Sequence, residues 1–238
     1  MKYKPKNRWQ AFMVHLLCSI VILSLLVCVI RFFWYPGFLF WADGGLQGLK
    51  LITVVDITTG PFLTLLVYKI DKKSLVFDLS CIVILQLSCL AGGMWAVGST
   101  RPAAVVYAAG GYATVNVRGY HEEKYQTEKI PLLKQHWPVW IGVSLPEDQS
   151  TAIQNLWSVM GESLYYNVDN YVPYEKIVPL LEHAGKEISL IEGSTAKMKE
   201  FQQSCTTCRF FPMTTSLYIG YAGVDPATGK VLEFFRTD

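Results

Sequence analysis

AFMVHLLCSIVILSLLVCVI, residues 11–30, decides how the rest of this chain is read. His15 is the only residue in it that can carry a charge. At 1.5 Å per residue, twenty residues of helix reach ~30 Å, the thickness of a bilayer's hydrocarbon core. Lys2, Lys4, Lys6 and Arg8 ahead of it would also suit the basic region of a cleaved signal peptide. The apolar run is too long for that, and no small-x-small cleavage site precedes Arg31. Neither Cys18 nor Cys28 follows the small residue that a lipoprotein signal needs. The expectation is an uncleaved transmembrane helix.

Two further stretches qualify as spans. Residues 49–70, LKLITVVDITTGPFLTLLVYKI, contain Asp56 and the pair Gly60-Pro61, which predicts a kinked span whose neighbours satisfy the freed backbone groups. Residues 75–97 carry Asp78 near their start and Gln86 inside. Gly92 and Gly93 in the third span permit close helix approach. Lys69, Asp71, Lys72 and Lys73 make the second connection basic, like the N-terminus, whereas the first connection has Arg31 and Lys50 with Asp43. The bias of basic residues toward the cytoplasm puts both the N-terminus and the second turn inside. Everything after about residue 98 then lies outside, giving a membrane protein with three transmembrane helices followed by an extracytoplasmic α+β domain.

The first connection, FFWYPGFLFWADGG at residues 32–45, mixes aromatic rings with Pro36, Gly37, Gly44 and Gly45. Large amphipathic rings lodge at the membrane–water interface, and the turn-formers let the chain re-enter the bilayer. A partner-docking surface has the same composition, so both readings stay open. Asp56 raises a parallel question, because a carboxylate inside a span costs ~3 kcal/mol and faces other helices or a polar cavity. Thr58, Thr59 and Gln86 are its candidate local partners, and protonation is the other way to neutralise it. A functional alternative has it recognising a polar or cationic group on another membrane helix.

Residues 98–238 are enough for one domain with its own core. They hold twelve Lys or Arg against fifteen Asp or Glu, a mildly acidic balance. No basic cluster interleaved with aromatics suggests nucleic-acid binding. Residues 103–117 read as two strands around a Gly110-Gly111 turn, and 139–144 as another strand. Ser144 and Glu147 suggest a capping box, with Ile153, Leu156, Trp157, Met160 and Leu164 on one helical face. A second helix is expected over 174–183, ending at Gly185, and a third over 195–203 behind Ser194 as N-cap. The C-terminus reads as a hairpin, residues 217–221 and 231–235 flanking the turn at 225–229.

Motifs for chemistry are sparse. There is no GxSxG, HExxH, P-loop or GxGxxG, so no catalytic residue, cofactor site or metal site is assigned and the chain reads as a binding protein. Cys205 and Cys208 form a single CxxC in QSCTTCRFFP, while the other four cysteines fall inside the predicted spans. In an oxidising compartment the default for this pair is a short structural disulfide. The alternative is a membrane-tethered periplasmic thiol-disulfide oxidoreductase. A redox CxxC, however, opens a helix after a strand, and this one follows a predicted helix.

The segments FFWYPGFLFWADGGLQGLKLI, VDITTGPFLTLLVYK and KKSLVFDLSCIVILQL, with RPAAVVYAAGGY, SCTTCRFFP and DPATGKVLE further on, resemble the TfpX/TfpZ family of type IV pilin accessory proteins. The likeness is spread over most of the chain and is strongest at residues 32–87. It implies a bacterial inner-membrane protein whose C-terminal domain is periplasmic. Its partners would be the major type IV pilin and, with it, other inner-membrane components of pilus assembly. Such a protein assists assembly and extension–retraction dynamics by binding pilin. On that reading Trp34, Tyr35, Trp41, Asp43 and Asp56 are candidates for shaping the surface on which a pilin helix docks.

Overall fold

A computed structural model describes residues 5–70, 72–134, 138–144, 161–191 and 194–237. The chain divides into two units, Met1–Ser99 and Thr100–Asp238.

The first unit is helical. Helix α1 (Arg8–Cys28) runs straight into a π-helical turn, Val29–Trp34. Asn7 caps it, its side-chain oxygen accepting from the Gln10 N–H at 2.9 Å, while Gln10 Oε1 reaches back to the Lys6 N–H at 2.7 Å. This is a capping box displaced by one residue. After a short helix α2 (Leu39–Ala42), helix α3 (Gly45–Val54) passes through a second π turn, Val55–Thr59, into α4 (Gly60–Val67). Helix α5 (Leu75–Ser99) completes the unit. Three continuous helices, Arg8–Trp34, Gly45–Val67 and Leu75–Ser99, are long and apolar enough to cross a membrane. The third starts at Leu75 as expected, and the other bounds differ from the expected 11–30, 49–70 and 75–97 by a few residues. The second stops early because Tyr68 turns extended, its hydroxyl donating to the Pro5 carbonyl at 2.7 Å.

Small residues set how closely these helices pack. A Cβ on Gly48 would lie 2.5 Å from Val97, and one on Gly93 2.9 Å from Ile52, so α3 and α5 meet through glycine on each side. Gly92 does not share that role: nothing lies within 4 Å of where its Cβ would stand.

The second unit is built on one mixed seven-stranded sheet, in the order β4-β3-β1-β2-β5-β6-β7. The strands are β1 (Pro102–Ala108), β2 (Gly111–Asn116), β3 (Val139–Val143), β4 (Tyr171–Pro173), β5 (Arg209–Thr214), β6 (Ile219–Asp225) and β7 (Lys230–Arg236). β1 runs parallel to β3 and β2 parallel to β5, while the other neighbours are antiparallel. Every residue of β1 is buried, as befits a central strand covered on both faces. Ala104, Val106, Val115 and Ile141 face a core closed by Tyr120 of α6 (Val117–Glu122), Leu133 and Leu164. Tyr107, Tyr112 and Phe211 meet edge-to-face in a separate aromatic cluster that Trp140 and Tyr174 extend. Helix α8 (Ala196–Ser204) lays Phe201 against Phe210 and Phe235. Gly223 makes room, since its Cβ would meet the Phe201 ring at 2.6 Å.

Several details differ from the sequence expectation. The first hairpin turns at Ala109-Gly110, with φ of 42° and 87°, so Gly111 opens β2 instead of forming the turn. Both positive values belong to the turn class that matches strand twist. The N-cap of α8 is Thr195, whose hydroxyl accepts from the Met198 N–H at 3.3 Å, not Ser194. The helix expected over 174–183 starts as a 3-10 turn, Tyr174–Lys176, and continues as α7 (Val178–Ala184). Gly185 is not a left-handed cap there, with φ −77° and ψ 158°. Its smallness serves packing instead, because a Cβ would fall 2.4 Å from the Arg209 Cβ. Most of the expected helix over Ile153, Leu156, Trp157 and Met160 lies outside the described residues, and Leu164 belongs to a 3-10 segment, Gly161–Tyr166.

Candidate functional site

The site begins with Pro61, which has no N–H to give. A helix crossing it leaves an earlier carbonyl without its donor, and here the preceding turn widens to π form over Val55–Thr59. Five residues on from Asp56, the spacing of a π-helical bond, is Pro61 itself. The Asp56 main-chain carbonyl accepts instead from Gln86 Nε2 on α5, at 3.3 Å. Gln86 reaches it because residue 60 is glycine: a Cβ there would lie 1.9 Å from Nε2.

The donor sense of the next bonds follows. A carbonyl only accepts, so Gln86 turns its NH2 toward Asp56 and its Oε1 the other way. Oε1 lies 2.6 Å from His15 Nε2 on α1, so that nitrogen is the donor. His15 Nδ1 lies 2.6 Å from the hydroxyl of Thr64, a buried residue on α4. In a neutral imidazole, Nδ1 then accepts from the Thr64 O–H. The bonds run in one sense, Thr64 to His15 to Gln86 to the Asp56 carbonyl, and return to the helix they left. Hydrogen bonds aligned in one direction polarise one another.

Beside this ring lies a groove of about 280 Å³. Cys18, Ser19 and Ile22 of α1 form one wall, Val83 and Leu87 of α5 the other, with Asp56 between them. Asp56 is only 7% exposed. Its carboxylate has no hydrogen-bond or ion-pair partner among the described residues. Gln86 therefore does meet Asp56, as the sequence suggested, but at the main chain. Thr58 donates to the Val54 carbonyl and is not a partner of the carboxylate.

The other docking candidates turn mostly inward. Tyr35 is 1% exposed, and its hydroxyl donates to the Val97 carbonyl at 3.0 Å. Its ring also presses on Gly45, where a Cβ would come within 2.8 Å. Trp34 is half-buried against Gly98, Trp41 is half-buried, and Asp43 is buried. The aromatic stretch thus ties the ends of the apolar helices together, and the rings it leaves exposed are Phe32 and Phe33. Arg31 lies 5.4 Å from the centre of the Phe40 ring, a cation–π contact. In the sequence His15 stands only as the one chargeable residue of the first apolar run, with no partner indicated. The available signal was that His15, Gln86 and Thr64 are polar residues inside three different apolar helices.

Over 96 residues the chain is 34% identical to the fimbrial assembly protein of Dichelobacter nodosus serogroups C1 and C2, a match covering 40% of this chain and 73% of that relative. This chain belongs to the fimbrial assembly proteins. The fimbrial assembly proteins of serogroups I and E1 from the same organism match at 34% identity over 96 residues too, but there the match spans 37% of each relative's length. No family model and no solved structure matches the chain.

In this fimbrial assembly protein Cys205 and Cys208 are joined as a disulfide. Cys205 is the C-cap of α8, and β5 begins at Arg209. The pair therefore sits at a helix C-terminus, where the dipole disfavours a thiolate, the reverse of a redox-active CxxC. Cys208 is buried besides. The pair staples the helix end to β5, a strand absent from the sequence expectation. Pro212 hides β5, yet it is accommodated where β2 pairs with β5 only at Met213 and Thr214.

Proposed function

We propose that this protein is a membrane-embedded accessory factor of type IV pilus assembly, of the TfpX/TfpZ kind, that works by binding pilin and not by catalysis. The observation that carries the reading is its membership of the fimbrial assembly proteins. Three helices fit to cross a bilayer and a separate sheet unit support it, because a pilin awaiting assembly also has an apolar helix and a globular part. In this reading the protein resides in the inner membrane. Lys69, Lys72 and Lys73 mark the cytoplasmic turn, and the sheet domain is periplasmic. The placement of the disulfide at a helix C-terminus favours a binding role over thiol-disulfide exchange.

Deleting the gene and comparing sheared surface pili with total cellular pilin tests the reading. Loss of surface pili with pilin retained in the membrane is expected, placing the protein between subunit supply and fibre growth. Normal pili, with normal extension and retraction, would refute it.

A further inference from the structure

We propose that the groove beside Asp56 receives a single lysine or arginine side chain from a transmembrane helix of another protein. The inference rests on the apolar helices being bilayer spans, and not on the assembly role. Asp56 lies eleven residues from each end of the 23-residue Gly45–Val67 helix, and so near the middle of the bilayer. A carboxylate there costs ~3 kcal/mol unless something answers it. Among the described residues nothing does so: Gln86 is engaged by the Asp56 main chain and by His15, and His15 by Gln86 and Thr64.

The surroundings select the occupant. The groove's volume, about 280 Å³, takes one long side chain and not a helix. Its walls, with Ile22, Val83 and Leu87, suit a methylene stem, and Asp56 suits a cationic tip. A lipid amine stays at headgroup level, far from mid-bilayer. A bare metal ion would need several ligands, and no group of three or more His, Cys, Asp or Glu able to hold one occurs among the described residues. A second copy of this chain does not supply the cation either. Arg8, Arg31 and Lys50 all lie at or near helix ends, and Lys50 is ~9 Å along the helix from Asp56. A partner cation and Asp56 would neutralise each other, so both buried charges gain from meeting.

The test uses the full-length protein in phosphatidylcholine vesicles with a synthetic Leu/Ala transmembrane peptide carrying one central Lys. Peptides with central Leu or central Glu are the controls, and association is read by fluorescence energy transfer. The Lys peptide should bind about tenfold more tightly than the Leu peptide, and the Glu peptide no better than Leu. Asp56→Asn should erase the preference without lowering the unfolding temperature, because Gln86 holds the residue's carbonyl and not its carboxylate. Val83→Trp, which fills the groove while keeping the Asp56 carboxylate, should erase it as well. Equal binding of the Lys and Leu peptides to the wild type overturns the proposal, as does a Lys preference that survives both substitutions. Piliation in the deletion strain is a separate readout: normal pili would remove the assembly role and leave the peptide result standing.

Discussion

Asp56 of the helical unit and two tyrosine pairs of the sheet unit are buried in opposite ways. In the sheet unit, two pairs of tyrosine hydroxyls are closed. Tyr174 donates to the Gly229 carbonyl, so the hydroxyl of Tyr112, 2.7 Å away, donates to Tyr174. Tyr120 and Tyr171 repeat the arrangement, with Tyr171 donating to the Tyr165 carbonyl. In the helical unit the ring through Thr64, His15 and Gln86 is just as closed, but the carboxylate beside it is left open. A buried group that is satisfied locally stabilises the fold that satisfies it. One left open costs the fold its lost solvation and is available to something else.

Substitutions can break or sharpen this contrast. The largest effect is expected from Gly60→Leu, which puts side-chain atoms where Gln86 stands and opens the ring. A loss of about 3 kcal/mol, read by thermal unfolding in detergent, combines overpacking with unmade hydrogen bonds. Replacing Cys205 and Cys208 together by Ser should cost about 2 kcal/mol by the loop-entropy relation, read as faster hydrogen exchange in α8 and β5. In the same cells, thiol trapping should find the wild-type pair oxidised throughout, and a cycling population would revive the oxidoreductase reading.

Tyr112→Phe should cost about 1 kcal/mol, the worth of one buried hydrogen bond, whereas Asp56→Asn should cost nothing measurable. Equal losses in the two would erase the distinction between closed and open groups. Alkali makes a related test. Burial raises the Tyr174 hydroxyl to about 12 and pushes Tyr112 up as well. A folded-state pKa above the unfolded value of 10.0 means the folded form holds its proton longer. Stability of the sheet unit should therefore be level below pH 10 and fall from there toward 12, followed by tyrosinate absorbance with circular dichroism. The smallest change is Ala109→Gly, which relieves a non-glycine residue at φ 42° and should gain about 0.5 kcal/mol.

The parts of this molecule legible in the sequence were those written in runs. Residues 11–30 and 75–97 announce helices by apolar length, and β1, β3 and the final hairpin announce themselves by β-branched and aromatic residues between turn-formers. β5 did not, because Pro212 argues against a strand unless its neighbour pairs along only part of it. The candidate site was half legible. Asp56 and Gln86 stand out as polar residues in apolar company, and one was suggested as the other's partner. That Gln86 would choose the carbonyl depends on Pro61 withholding an N–H and on Gly60 leaving a gap, and neither effect has a pattern of its own. His15 was visible, but its partners lie 49 and 71 residues away in sequence. Tyr35 and Asp43 are docking candidates by chemical type alone, and type does not reveal which way a side chain turns.

The π turn at Val55–Thr59 also matters for anyone aligning this chain with relatives. A wide turn takes up one extra residue, so the stretch before it and the stretch after it are out of helical phase by about 100°. Gly48 and Ile52 on one side, Gly60 and Thr64 on the other, keep their neighbours only because that residue is there. A one-residue gap placed within 55–59 therefore resets the phase without disturbing either stretch. The same gap at 50 or 64 would turn a packed face outward. Conservation should be tallied separately for the two halves, since each keeps its own register.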